Sequence, residues 1–88
     1  MISKDYIITA AEGIHARPAT ALVRLTRNFQ SVISLQKDEK IVRLNSLLNI
    51  LSLGAKGGDK ISVLIEGQDE AAAAEAIELF FSTQLKDL

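Results

Sequence analysis

The sequence predicts an α+β fold in which a four-stranded antiparallel sheet carries its helices on one face. Three observations predict it. Ile61, Val63 and Ile65 alternate with Lys60, Ser62, Leu64 and Glu66, the period-two signature of a strand with one buried side. Two longer stretches, 16–28 and 70–85, place their apolar residues at helical spacing on one side only. Two short apolar segments, 32–36 and 40–44, flank the polar Lys37-Asp38-Glu39, which reads as a hairpin. One-sided helices and one-sided strands must bury their apolar sides against each other, and a sheet under a layer of helices is the simplest arrangement that does so.

Taken in order, Lys4–Ala10 reads as a first strand with Tyr6 and Ile8 inward, ended by Glu12-Gly13. The first helix follows from Ala16 to Asn28, with Ala19, Leu22, Val23, Leu25 and Phe29 as its apolar stripe. Pro18 suits its first turn, where a missing N–H costs nothing. In the hairpin, Ile33, Leu35, Val42 and Leu44 point one way. Asn45 or Ser46 is placed to cap a short helix over 47–53, with Ile50 on its buried side, and Gly54 to end it. Gly57-Gly58 is a turn before the strand at 60–66. Asp69 is placed to cap the last helix, 70–85, whose Ala74, Ile77, Phe81 and Leu85 form a stripe. The order is βαββαβα.

Composition narrows the function. The chain has 88 residues, enough for one domain, so 1–88 reads as a single domain. Ten Lys+Arg against eleven Asp+Glu give a net charge of −1, without the basic excess of a nucleic-acid binder. There is no Cys and one His, which excludes thiolate chemistry and His-rich metal centres, so no metal and no cofactor are expected. No apolar run reaches the length of a membrane span, and Met1–Asp5 lacks the pattern of a signal peptide. The expected location is the cytoplasm.

Chemistry concentrates at Gly13-Ile14-His15-Ala16-Arg17-Pro18-Ala19-Thr20. The only His stands just before a helix, and Arg17 lies in the helix's first turn. Unpaired N–H groups at a helix start favour an anion, and a guanidinium offers a planar fork of donors to phosphate oxygens. A neutral imidazole is a nucleophile near pH 7. Together these groups suit a phosphoryl group carried on a ring nitrogen, held by the backbone N–H groups of Ala16 and Arg17 and by the Arg17 side chain. From spacing alone, a helix-capping His beside a solvated Arg is the better account of the same residues, because one His near one Arg is common.

Gly-Ile-His-Ala-Arg-Pro-Ala at 13–19 resembles the active-site signature of the HPr family, the histidine-containing phosphocarriers of the bacterial sugar phosphotransferase system. Leu44-Asn45-Ser46-Leu47-Leu48 with Leu51-Ser52-Leu53-Gly54-Ala55 is similar to the family's second segment, around its regulatory serine. The resemblance covers the whole chain. It implies an open-faced β-sandwich with sheet order 1-4-2-3 and three helices on one face. It implies that His15 accepts a phosphoryl group on Nδ1 from enzyme I, which draws on phosphoenolpyruvate, and passes it to the A domain of a sugar-specific enzyme II. The chain would be a carrier without independent turnover, and a monomer. Thr20, Arg24, Arg27, Leu47, Leu48 and Leu51 would form the docking surface, with the arginines facing acidic partners. Ser46 would be a regulatory phosphorylation site for HPr kinase/phosphorylase, with the catabolite control protein as a further partner.

The chain departs from the commoner Gram-positive pattern at Asn45, Leu47, Leu48 and Asn49, and has Glu39 where the family often has Gly in the hairpin turn. The alternative reading is a regulatory paralogue similar to Crh, which keeps the serine but lacks the active histidine; His15 argues against it.

Overall fold

The computed structural model describes residues 1–9, 13, 14 and 16–84. Strands β1 (Ile2–Ile7), β2 (Val32–Lys37), β3 (Lys40–Arg43) and β4 (Lys60–Glu66) alternate with helices α1 (Ala16–Thr26), α2 (Leu47–Leu53) and α3 (Glu70–Leu79) in the expected βαββαβα order. The sheet runs β1-β4-β2-β3 and every pairing is antiparallel.

Register puts the apolar residues on one face. Ile65 stands between Ile2 and Ile33, and Val63 between Lys4 and Leu35, which is itself opposite Val42. Ile33, Leu35, Ile61, Val63 and Ile65 are buried under Leu22 and Val23 of α1, Ile50 and Leu53 of α2, and Ala73, Ala74 and Ile77 of α3. No helix among the described residues covers the opposite face. Ile7, Val32 and Ile41 stand exposed there beside Ser62, whose hydroxyl donates to Asp5 at 2.6 Å.

Several details differ from the sequence reading. β1 spans Ile2–Ile7 rather than 4–10, because its partner β4 supplies ladder positions only from Ile65 back to Lys60. The phase was nevertheless as expected: Tyr6 is half-buried, and Ile8, just past the strand, is buried. Ala10 lies outside the described residues.

α1 ends at Thr26 rather than Asn28. Its hydroxyl turns back to the carbonyls of Val23 (2.8 Å) and Leu44 (3.0 Å), and the next two turns tighten, Asn28 N–H to Leu25 and Phe29 N–H to Thr26. In the hairpin, β2 extends to Lys37, which pairs with Lys40, and the left-handed residue is Asp38 (φ 55), not Glu39. Asp is one of the few side chains that tolerates this conformation, so the missing glycine is accommodated one position earlier.

Asp69 makes no side-chain cap to α3. Its backbone is not extended as a capping residue's would be, and its carboxylate instead accepts from Gln30 N–H (2.7 Å), Ser31 N–H (2.9 Å) and the Ser31 hydroxyl. Beyond Leu79 the backbone widens into a π-helical turn over Phe80–Gln84, which buries Phe80 and Phe81 side by side. Leu85, expected on this stripe, lies outside the described residues.

Candidate functional site

α1 begins at Ala16, the residue after His15, and its first turn carries no carboxylate. The first N–H groups of this helix therefore have no carboxylate of its own first turn competing for them. His15 itself lies outside the described residues. Pro18 is buried in the first turn, while Ala16 and Arg17 are exposed. Thr20 donates to the Ala16 carbonyl at 2.7 Å and is half-buried.

The residues just before His15 are held closely. Gly13 adopts φ +73, and a Cβ there would stand 2.2 Å from the Ala55 carbonyl oxygen and 2.6 Å from Lys56 Cα. Only glycine fits both the dihedral and the approach. Ile14, buried, donates its N–H to the same Ala55 carbonyl at 3.1 Å. The loop after α2 thus forms a wall against the segment that leads into His15.

Two grooves run along α1. One is lined by Ala16, Arg17, Thr20, Ala21 and Arg24. Its neighbour, between α1 and the start of α2, is lined by Thr20, Val23, Arg24, Arg27, Asn45, Ser46 and Leu47. Thr20 and Arg24 belong to both, so Arg17, Arg24, Arg27, Ser46 and Leu47 lie along one continuous surface. Leu48 and Leu51 line neither groove. Leu48 is 77% exposed and Leu47 and Leu51 are 38% exposed, whereas Ile50 is buried. A seven-residue amphipathic helix that buries Ile50 and Leu53 cannot also bury three other leucines, so α2 presents an apolar outer side.

Ser46 is the N-cap of α2: its backbone is extended and its hydroxyl oxygen accepts from Asn49 N–H at a long 3.5 Å. Asn45, the other candidate cap, instead accepts from the Asn49 side chain at 3.3 Å. Gly54 closes the helix in the left-handed conformation. Two lysines from the hairpin add positive charge at this end, Lys37 to the Gly54 carbonyl at 3.0 Å and Lys40 to the Ser52 carbonyl.

The family model "PTS HPr component phosphorylation site" matches residues 2–83. Structures of the same shape include HPr-C-His from Thermoanaerobacter tengcongensis, 33% identical, with a TM-score of 0.91 over 97% of this chain and 96% of that one. The chain belongs to the HPr family of phosphotransferase-system phosphocarriers. HPr from Bacillus anthracis str. Ames is 31% identical, with a TM-score of 0.84 over 91% of this chain and 95% of that one. The catabolite repression protein Crh of Bacillus subtilis, a swapped dimer, is 27% identical, with a TM-score of 0.76 over 97% and 98% of the two chains. The open-faced fold and its 1-4-2-3 sheet order are those of HPr. No helix among the described residues is long and apolar enough to cross a membrane.

Sequence reasoning missed the residues behind the site. Ala55 was read only as the end of the segment around Ser46, and Asp59 carries no motif. Their roles come from backbone contacts more than forty positions away, the Ala55 carbonyl accepting from Ile14 and the Asp59 carbonyl from Ile8. The one available signal was Gly13, an invitation to ask which backbone approaches it.

Proposed function

We propose that this HPr-family chain, acting as a single-domain monomer in the cytoplasm, takes a phosphoryl group onto His15 from enzyme I and passes it to the A domain of a sugar-specific enzyme II. The observation that carries the reading is the start of α1 one residue after His15, with an exposed Arg17 and no carboxylate in the first turn. A ring-nitrogen lone pair of neutral His15 forms the new N–P bond as the bond from phosphorus to the donor breaks. The phosphoryl charge then lies against the N–H groups of Ala16 and Arg17 and the Arg17 guanidinium. The second transfer reverses these roles: the partner's nucleophile attacks in line, and Arg17 neutralises charge on the equatorial oxygens. The partner supplies the rest of the site, so the chain has no turnover of its own.

The surface of Thr20, Arg24, Arg27, Leu47, Leu48 and Leu51 is the docking face, with cations for acidic partners and leucines for burial. Ser46, at the edge of the same groove, is the regulatory position. A phosphate there would place a dianion against the face that partners must approach. It would also govern any engagement of the catabolite control protein. A purely regulatory, Crh-like role leaves His15 without a use.

Incubation with phosphoenolpyruvate and enzyme I tests the reading. Acid-labile, base-stable phosphate should appear and should be absent from His15→Ala. No incorporation overturns the carrier role, and incorporation that persists in His15→Ala moves the site elsewhere. Incubation with ATP and HPr kinase, with Ser46→Ala as control, tests the second site.

A further inference from the structure

One loop, Gly54–Asp59, holds both flanks of the segment that carries His15. On the strand side, Ile8 N–H donates to the Asp59 carbonyl at 2.8 Å and Gly58 N–H donates to the Ile8 carbonyl at 2.9 Å. On the helix side, Ile14 N–H donates to the Ala55 carbonyl at 3.1 Å, with Gly13 pressed against the same peptide. The separation between these two anchorages on the loop sets the separation between Ile8 and Ile14.

The loop is closed by two side chains. The Asp59 carboxylate accepts the Lys56 N–H at 2.8 Å, which bridges the turn. Lys37, from β2, reaches that carboxylate at 3.1 Å and the Gly54 carbonyl at 3.0 Å. Lys37 therefore joins the first residue of the loop to the last. Asp59 and Lys37 are both partly exposed and neither belongs to the buried core, so their pairing at the rim of the helix-covered face shapes the loop without adding to that core.

We propose that Asp59, held by Lys37, is a positioning residue for His15: it fixes the Gly54–Asp59 loop at the spacing that sets the imidazole for phosphoryl transfer. The inference rests on the reading that His15 carries the phosphoryl group. A displaced nucleophile costs rate steeply, because transfer requires near-linear alignment at close approach.

The test uses Asp59→Ala, Asp59→Asn and Lys37→Met in the full chain. Three readings are taken: the NMR titration of His15, the enzyme I-dependent transfer rate resolved into kcat and KM, and thermal stability. Asp59→Ala should shift the His15 titration and lower kcat about tenfold with KM little changed. Asp59→Asn keeps an acceptor for the Lys56 N–H and should recover part of the loss. Lys37→Met should shift the titration in the same direction, and its combination with Asp59→Ala should add little. Asp69→Asn is the control, since it removes a carboxylate anchor far from this loop and should leave the His15 titration unmoved. The proposal is overturned if Asp59→Ala keeps the wild-type titration and kcat, or if Asp69→Asn reproduces its effects. A wild-type chain that accepts no phosphoryl group overturns the carrier reading instead, while the titration still reports on positioning.

Discussion

Tyr6 stacks on Phe81 with ring centroids 4.7 Å apart and planes 10° from parallel, while Phe80 meets Phe81 edge-on at 5.5 Å. The edge strand is thereby fastened to the π-helical turn that ends α3. The Tyr6 hydroxyl donates to Glu78 at 2.9 Å, and the same carboxylate pairs with Lys4 at 3.5 Å. Polar and apolar contacts together hold β1, which the sheet pairs on one side only.

That geometry predicts an alkaline transition. Burial, then the hydrogen bond to Glu78 and its negative charge, push the Tyr6 phenol up from 10.0 to about 12. A folded-state value above the unfolded one means that the folded chain retains its proton longer. The associated stability is complete below pH 10 and is lost as pH rises from there through about 12. Tyr6→Phe keeps the ring stack but removes the titration. Urea unfolding between pH 9 and 12 should show the wild type losing stability faster than the variant.

Gly13 and Gly54 both have positive φ, but only Gly13 has a neighbour in the way. Gly54→Ala should cost about 1 kcal/mol, the conformational term alone. Gly13→Ala adds a collision with the Ala55 carbonyl and should cost at least about 2 kcal/mol, since the loop must move or the hydrogen bond from Ile14 must lengthen. Denaturant titration of the two variants measures the difference. Equal losses would mean that the close approach is relaxed without strain.

α2 offers a sharper separation. Ile50→Ala opens a cavity under a buried side chain and should cost about 2–4 kcal/mol. Leu48→Ala should stay within about 0.5 kcal/mol, because its side chain stands in solvent. If the outer face docks partners, Leu48→Ala should weaken enzyme I binding in calorimetry while its melting temperature is unchanged.

What could be read from the sequence follows from where each signal originates. β4, α2 with its caps, and the inward phase of every strand are local patterns, and Ile61, Ser46, Ile50 and Gly54 each take the predicted place. The bounds of β1 depend on how far β4 runs beside it, which Lys4–Ala10 does not encode. The candidate site divides in the same way. Arg17, Thr20 and Arg24 follow from helical spacing, whereas the walls at Ala55 and Asp59 arise only when α2 has folded against the sheet. Asp69 was misassigned for the same reason, since an Asp before a helix reads as a cap until a distant loop supplies better donors.

Asp69 therefore makes its own prediction. The Ser31 hydroxyl, then the Gln30 and Ser31 N–H groups, hold its carboxylate below the ordinary value of 3.8. A depressed folded value gives stability that is present above the unfolded value and lost as pH falls through the folded one. Asp69→Asn should unfold more readily than wild type at pH 7, and the gap should close as both are titrated below pH 3.8. Circular dichroism across an acid titration follows it.

Arg17 separates function from fold. It is exposed, and no hydrogen bond or ion pair among the described residues uses its side chain. Arg17→Ala should leave the unfolding midpoint within about 0.5 kcal/mol of wild type. It should nevertheless slow phosphoryl transfer by about tenfold or more, the cost of losing one charge-assisted donor pair to the transferring group. Arg17→Lys retains the charge without the fork and should fall between the two. Rapid-quench transfer from phosphorylated enzyme I measures all three. Equal rates for wild type and Arg17→Ala would shift the neutralisation of the phosphoryl charge to the helix N–H groups and the partner alone.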